Sequence, residues 1–129
     1  LINNGVAKSF KLSKLTKLKL FAKFMNWLTP TKRTFNGHNT SCFKADLVAV
    51  NGFNEEMQYG GLDRELGERL FNLGVLSKQI RYAAVCVHLD HKRGYATEET
   101  WKKNNAIRNY NKKHNVTFIE NGLSKYLNG

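Results

Sequence analysis

The sequence predicts an α/β fold, and three segments with different periodicities indicate it. Residues 7–28 place large apolar side chains at intervals of three to four with lysines between them, which is the period of an amphipathic helix. Residues 64–73 repeat this period in a charged helix that Gly74 would end as its C′ residue. Residues 79–89 are instead nearly continuous in apolar, β-forming side chains, as in a strand buried on both faces of a sheet.

The composition is that of one globular domain with a basic surface. The chain of 129 residues is long enough to bury one core, and its apolar fraction of 41% is ordinary for a folded protein. A formal net charge of +11 predicts an anionic partner, such as a nucleic acid, an anionic membrane or a phosphorylated ligand. No Asp or Glu precedes Asp46, so the basic character belongs mainly to the first third of the chain.

Cysteine usage and hydropathy bear on where the protein is found. Cys42 and Cys86 are too few for a disulfide-stapled secreted domain, which predicts a reducing, cytoplasmic location. The sequence contains neither an apolar run of about 20 residues nor a signal-peptide pattern. Because it begins at Leu1 without a methionine, we expect it to be a piece of a longer protein.

The basic helix divides the chain into two predicted parts. Residues 1–35 comprise the helix and a basic linker, and residues 36–129 form the domain with the candidate site. Thr29-Pro30 ends the helix, because proline biases the preceding residue away from the helical conformation. Two interpretations stay open: the helix docks its apolar face on the core, or it binds an anionic membrane surface as a peripheral helix at the inner face.

A turn supported by two glycines, Tyr59 to Asp63, delivers a carboxylate to the first turn of the charged helix. Asp63 has the chemistry of a helix N-cap, whose oxygen accepts hydrogen bonds from the N–H groups ahead of it. It also has the chemistry of a general base, since Gly60 and Gly61 let the backbone pass close to a ligand. Spacing alone favours the cap.

Two histidine-containing segments carry further candidate ligand-binding groups. His38 and Asn39 follow a glycine in a loop, from which side chains often face a ligand, although a lone histidine is more often structural or solvated. His88 and His91 are three residues apart and could hold a divalent metal through their imidazole nitrogens. Their spacing is weak evidence by itself. A zinc site that includes the two isolated cysteines is not favoured.

Four segments occur in a recognisable order and spacing: Asn36–Lys44, Val50–Glu55, Gly60–Leu70 and His88–His91. Together they resemble the C-terminal half of family 2 glycosyltransferases with the GT-A fold. The similarity is greatest to the galactosyltransferase-type C-terminal domain of bacterial polysaccharide and lipopolysaccharide enzymes, and it covers residues 36–127. The resemblance implies that the α/β fold is the C-terminal portion of a GT-A fold, with few strands flanked by helices, and is incomplete without an N-terminal half.

The resemblance also implies roles for individual residues. The family's G-G-F-D-E element falls on Asn51–Glu55, with Asn54 at the position of the usual aspartate. Its G-E-D element falls on Gly61–Asp63, where Leu62 replaces the glutamate and Asp63 is kept as general base toward the acceptor hydroxyl. The implied acceptor-binding residues are Tyr59, Gly60, Gly61, Asn39 and His38. Lys92 and Arg93 would lie near the diphosphate of the donor, and His91 or else His88 would hold the metal.

The implied function is transfer of a sugar, with inversion, from a nucleotide-sugar donor to a saccharide or lipid-linked acceptor. A carboxylate would deprotonate the acceptor, and Mn²⁺ or Mg²⁺ with nearby basic residues would neutralise the departing diphosphate. The family's Asp-x-Asp motif belongs to the N-terminal half and does not occur in this sequence, so the 129 residues alone are predicted to be inactive.

The alternative function is a basic module that binds an anionic membrane or nucleic acid through the N-terminal helix. Nucleic acid is the less favoured partner, because the sequence carries no signature of a nucleic-acid-binding fold.

Overall fold

The computed structural model describes four parts of the chain: residue 14 and residues 17–29, 34–86 and 97–127. These residues belong to two compact units. The first unit lies within Leu1–Lys32 and Lys78–His88, and the second lies within Arg33–Ser77 and Leu89–Gly129. The predicted division between residues 35 and 36 stays a prediction.

Five α-helices account for the regular structure of the described residues. They are α1 (Lys19–Leu28), α2 (Lys44–Ala49), α3 (Leu62–Asn72), α4 (Glu98–Lys113) and α5 (Ser124–Leu127). None of these five combines the length and the apolar character that a membrane-spanning helix needs.

The predicted α/β fold is wrong for the part of the chain that the structure describes. These residues contain neither a strand nor a sheet, so they do not form the C-terminal portion of a GT-A fold. Within the predicted strand, the N–H groups of Ala83 and Ala84 donate to the carbonyl oxygen of Ile80 over 2.9 and 2.8 Å. The backbone therefore closes into a turn. Between residues 79 and 86 only Tyr82 is buried, so the described part of the apolar run does not form a core strand.

The first unit is built around α1. The predicted helix over residues 7–28 is confirmed for Lys19–Leu28. It is wrong for residues 17 and 18, which precede the helix in a non-helical conformation, and residues 7–13, 15 and 16 lie outside the described residues. The helix ends before Thr29, as expected from the proline that follows it in the sequence.

One side of α1 packs against the segment of residues 78–86. Ala22 is buried on this side. The side-chain oxygen of Asn26 accepts a hydrogen bond from the N–H of Tyr82 over 2.8 Å. The rings of Phe21 and Tyr82 meet edge to face, with their centroids 6.5 Å apart. These contacts hold residues 78–86 to the helix without any sheet.

In the second unit, α2 and α3 contribute to a small apolar core. Val50, Leu66 and Leu70 are buried there, and three partly buried side chains pack against them: Phe35, Leu47 and Val75. Gly67 allows a close approach to α3, because a Cβ atom at this position would lie 2.5 Å from the Cβ of Phe35.

Local signals set the ends of the helices in this unit. α3 ends as predicted before Gly74, which has a φ of 95°. The N–H of Gly74 donates to the carbonyl oxygen of Phe71, and the N–H of Val75 donates to the carbonyl oxygen of Leu70. This pair of bonds is a Schellman motif. α4 begins after Thr97, whose side chain accepts a hydrogen bond from the N–H of Thr100 over 3.2 Å.

A buried ion pair ties α3 to the turn after α2. Glu65 and Arg69 have no exposed side-chain surface, and the Arg69 Nε donates to Glu65 Oε1 over 2.7 Å. The guanidinium also donates to the carbonyl oxygens of Val50 and Gly52. Asn111 of α4 donates to Glu65 Oε1 over 2.7 Å. One polar network therefore joins three segments inside the core.

The turn that follows α2 also anchors the C-terminal segment. Asn51 has a φ of 63°, and its side-chain amide donates to the carbonyl oxygen of Ile119 over 2.7 Å and to Ser124 Oγ over 2.9 Å. Its side-chain oxygen accepts from the N–H of Ser124 over 2.6 Å. Gly122 passes so close to the Asn51 carbonyl oxygen that a Cβ atom would collide with it.

Candidate functional site

Asp63 lies in the first turn of α3, but it is not the N-cap. The N-cap is Gly61, in the left-handed conformation, and no side chain caps this helix end. The Asp63 Oδ1 accepts a hydrogen bond from the N–H of Arg64 over 2.8 Å, and Oδ2 accepts one from the N–H of Gly37 over 3.2 Å. Asp63 is half-buried. Its carboxylate is thus held by backbone groups from two segments.

The bond from Gly37 brings the loop of residues 36–40 to this carboxylate. The loop is closed by the N–H of Asn39, which donates to the Asn36 carbonyl oxygen over 3.0 Å, and by the N–H of Asn36, which donates to Thr40 Oγ1 over 3.0 Å. His38 and Asn39 are exposed on it. The structure therefore places the segment with these two candidate residues next to Asp63.

The two glycines before Asp63 form a turn that L-residues with side chains rarely adopt. Gly60 has a φ of 111° and Gly61 a φ of 85°. The indole of Trp101 on α4 lies 3.2 Å from the point where a Cβ atom of Gly60 would be. Tyr59, just before the glycines, is 45% exposed, and Trp101 is 37% exposed. Both aromatic side chains therefore retain accessible surface beside the turn.

Asn104 holds the turn from beneath. It is fully buried, and its amide nitrogen donates to the carbonyl oxygens of Gln58 over 3.0 Å and of Gly60 over 2.7 Å. Its side-chain oxygen accepts from the N–H of Gln58 over 3.3 Å. Because buried backbone groups must be paired, this single side chain makes the turn compatible with burial.

Glu68 of α3 and Arg108 of α4 form an ion pair that connects the two helices. The Arg108 guanidinium donates to both carboxylate oxygens of Glu68, over 2.6 and 3.2 Å, and Lys112 Nζ lies 2.9 Å from Oε1. Burial, the largest single influence, raises the pKa of Glu68, but the hydrogen bonds and charges of Arg108 and Lys112 together outweigh it and lower the pKa. The Arg108 side chain also lies against Gly61.

Three residues of α4 that contact the turn were not among the predicted site residues. Trp101, Asn104 and Arg108 are spaced by three and four, so they share one face of the helix. This spacing is visible in the sequence. The face does not carry the apolar side chains that would indicate packing against a core, because it consists of a tryptophan, an amide and a guanidinium.

Four predicted site residues lie outside the described residues: His88, His91, Lys92 and Arg93. The described residues hold no group of three or more His, Cys, Asp or Glu side chains that could bind a metal ion. Neither cysteine forms a disulfide.

The family model described as the N-terminal domain of galactosyltransferase matches residues 16–92, which is more than half of the chain. Comparisons with curated proteins and with solved structures each find no match. The matched range includes the loop of residues 36–40, the glycine turn and Asp63. The chain therefore belongs to the family of the N-terminal domain of galactosyltransferase and is a glycosyltransferase-type domain.

Proposed function

We propose that the chain supplies the acceptor side of a glycosyltransferase, with Asp63 as the general base. The carboxylate takes the proton of the acceptor hydroxyl while that oxygen attacks the anomeric carbon of the donor sugar. The bond from the anomeric carbon to the diphosphate breaks, and the nucleoside diphosphate leaves with the electron pair. One base on the acceptor side is sufficient for such an inverting displacement.

The observation that carries the proposal is the way in which Asp63 is held. Each carboxylate oxygen accepts one backbone hydrogen bond, from Gly37 or from Arg64. An ionised carboxylate has about four lone-pair sites, so each oxygen keeps capacity for a hydroxyl group. A half-buried carboxylate that is held by backbone groups and retains acceptor capacity supports the proposed role as a general base.

The surface around Asp63 has groups suited to a saccharide. Tyr59 and Trp101 flank the glycine turn, and aromatic rings offer a flat apolar surface together with a polar atom. His38 and Asn39 add hydrogen-bonding side chains on the loop that contacts Asp63. We assign these four residues, with Gly60 and Gly61, to acceptor binding.

The donor side of the proposal rests on the sequence resemblance. Lys92 and Arg93 are the candidates for the diphosphate, and His91 or His88 is the candidate ligand of a divalent cation, Mn²⁺ or Mg²⁺, that would stabilise the leaving group. A nucleotide sugar as donor, a saccharide or lipid-linked acceptor of a bacterial envelope polysaccharide, and a cytoplasmic location belong to the same proposal. Family membership favours sugar transfer over a basic binding module as the function of the chain.

The test of the proposal is Asp63→Asn in the intact protein, assayed for sugar transfer from a nucleotide-sugar donor. The asparagine oxygen can still accept a backbone hydrogen bond, but the side chain cannot take a proton at neutral pH. We expect transfer to fall by roughly 10²- to 10⁴-fold, which is the usual contribution of a general base. Donor binding should be unchanged, and the thermal unfolding midpoint should fall only slightly, because asparagine loses one of the two backbone hydrogen bonds to Asp63.

Asp46→Asn is the matched control, because Asp46 is an aspartate in the first turn of the neighbouring helix α2. It should leave transfer unchanged. If Asp63→Asn retains full transfer, or if both variants lose it equally, Asp63 is not the base. Turnover by the 129 residues alone would refute the separate prediction that they are inactive.

A further inference from the structure

The apolar face of α1 is exposed. Leu20 is 84% exposed and Trp27 is 79% exposed, and Phe24 and Leu28 are exposed with them. An amphipathic helix of a globular protein normally buries such a face against its core. The spacing of these residues, at i, i+4, i+7 and i+8, puts them on one side of the helix. α1 therefore presents a stripe of large apolar side chains at the surface of its own unit.

The other side of α1 is already occupied. Ala22 is buried, and Met25 and Asn26 are half-buried where the helix meets residues 78–86. The bond from the N–H of Tyr82 to the Asn26 side chain fixes this packing. The helix thus uses its less apolar side for intramolecular contact and keeps its apolar side available for a partner.

The charge next to the exposed face identifies the kind of partner. Lys19 and Lys23 are exposed and lie one helical turn apart, adjacent to the apolar stripe. In the sequence Lys8, Lys11, Lys14 and Lys17 precede them, and no acidic residue precedes Asp46. A surface that attracts this segment is therefore negatively charged as well as apolar.

The aromatic residues favour lipid over the other anionic partners. The ring centroids of Phe24 and Trp27 lie 6.1 Å apart on the exposed face. Tryptophan and phenylalanine with leucine on one face, and lysine beside it, are the composition of a helix that lies in the interface of a bilayer. A nucleic acid would match the lysines but would leave the aliphatic side chains Leu20 and Leu28 exposed.

We propose that α1 is a membrane-docking surface, in which Leu20, Phe24, Trp27 and Leu28 insert at the headgroup level of an anionic bilayer while Lys19 and Lys23 contact the lipid phosphates. This inference does not depend on the identity of the catalytic base.

Sedimentation of the protein with lipid vesicles tests the proposal. The protein should bind vesicles of phosphatidylcholine mixed with phosphatidylserine far more strongly than vesicles of phosphatidylcholine alone, and added salt should weaken the binding. Leu20→Ser with Trp27→Ser should lower the partition coefficient by roughly tenfold or more. Lys19→Gln with Lys23→Gln should lower it by roughly fivefold per lysine, and only for the anionic vesicles.

Matched controls lie on the second unit. Phe43→Ser removes an aromatic side chain that is 82% exposed, and Lys102→Gln with Lys103→Gln removes two adjacent exposed lysines of α4. Both should leave vesicle binding unchanged, and circular dichroism should show that every variant is folded.

Three results would overturn the proposal. The first is equal binding to the two kinds of vesicle, or an equal loss in the control variants. The second is a self-association, measured by analytical ultracentrifugation, that Trp27→Ser abolishes while vesicle binding is absent, because the face would then bind a second copy of the chain. The third is binding of a duplex oligonucleotide through Lys19 and Lys23 without binding of vesicles.

Discussion

The side-chain amide of Asn104 donates a hydrogen bond to the carbonyl oxygen of Gly60 over 2.7 Å, from a position without exposed surface. The same side chain bonds both the N–H and the carbonyl oxygen of Gln58. One residue in the middle of α4 thus satisfies the backbone of the turn that leads into Asp63. The position of the candidate base depends on this contact between distant parts of the chain.

Asn104→Ala should loosen the glycine turn. The substitution leaves buried carbonyl oxygens without their donor, and we expect the free energy of unfolding to fall by about 2–3 kcal/mol in chemical denaturation. Transfer should also fall, since Asp63 follows the turn directly. Asn109→Ala is the control, because Asn109 is an exposed asparagine of the same helix. Equal stability of the two variants would contradict the role given to Asn104.

Arg69→Met should be more severe. It leaves the Glu65 carboxylate buried without its cation and removes the donor to Val50 and Gly52, so we expect a loss of about 3–5 kcal/mol in the free energy of unfolding. Arg64→Met, on the exposed side of the same helix, should cost well under 1 kcal/mol, as is usual at the surface.

A double variant separates the two roles of Arg69. Glu65→Leu with Arg69→Met removes both charges, so it should regain part of the lost stability. The recovery should be incomplete, because the carbonyl oxygens of Val50 and Gly52 still lack their donor. Full recovery would mean that the bonds to these carbonyl oxygens contribute nothing measurable.

The helices could be predicted because their signals are local. Gly74 after α3 and the proline after α1 each act on neighbouring residues, and the structure confirms the helix ends that they predict. The strand could not be predicted correctly, because an apolar run forms a strand only beside a partner strand. In the described part of residues 79–89 the contacts go instead to α1.

The candidate site could be predicted in outline only. The sequence indicated Asp63, the glycines and the loop with His38, and the structure joins that loop to Asp63 through the N–H of Gly37. The sequence did not indicate Asn104 or Trp101, because both act through contacts with the glycine turn, which is distant from them in the chain. A polar residue in a polar helix looks solvated until its tertiary partner is known.

Gly122→Ala and Gly74→Ala should separate a steric effect from a conformational one. At Gly122 the new Cβ would meet the carbonyl oxygen of Asn51, which is backbone and cannot turn aside, so we expect a cost of about 3 kcal/mol. At Gly74 nothing lies within 4 Å, and only the φ of 95° opposes a side chain, which costs about 1 kcal/mol. Thermal denaturation should rank the variants in this order, and the reverse order would contradict the packing at Asn51.

Glu68→Gln should reduce stability in a pH-dependent manner. Arg108 and Lys112 lower the pKa of Glu68 in the folded protein from its ordinary value of 4.5. A carboxyl group with a lowered folded pKa contributes stability at pH values above 4.5, and this contribution is lost as the pH falls through the folded pKa. Near neutral pH the variant should be less stable than the unsubstituted protein by about 1 kcal/mol. The difference should shrink in acid.

Variants of the two cations test which one lowers the pKa of Glu68. Arg108→Gln should remove more of the pH-dependent stability than Lys112→Gln, because Arg108 makes two hydrogen bonds from a largely buried side chain whereas the Lys112 side chain is exposed. Chemical denaturation of all three variants across the acid range measures this. The difference in the free energy of unfolding between Glu68→Gln and the unsubstituted protein should therefore change from neutral pH to well below 4.5. A constant difference would show that the carboxylate charge does not stabilise the contact between α3 and α4.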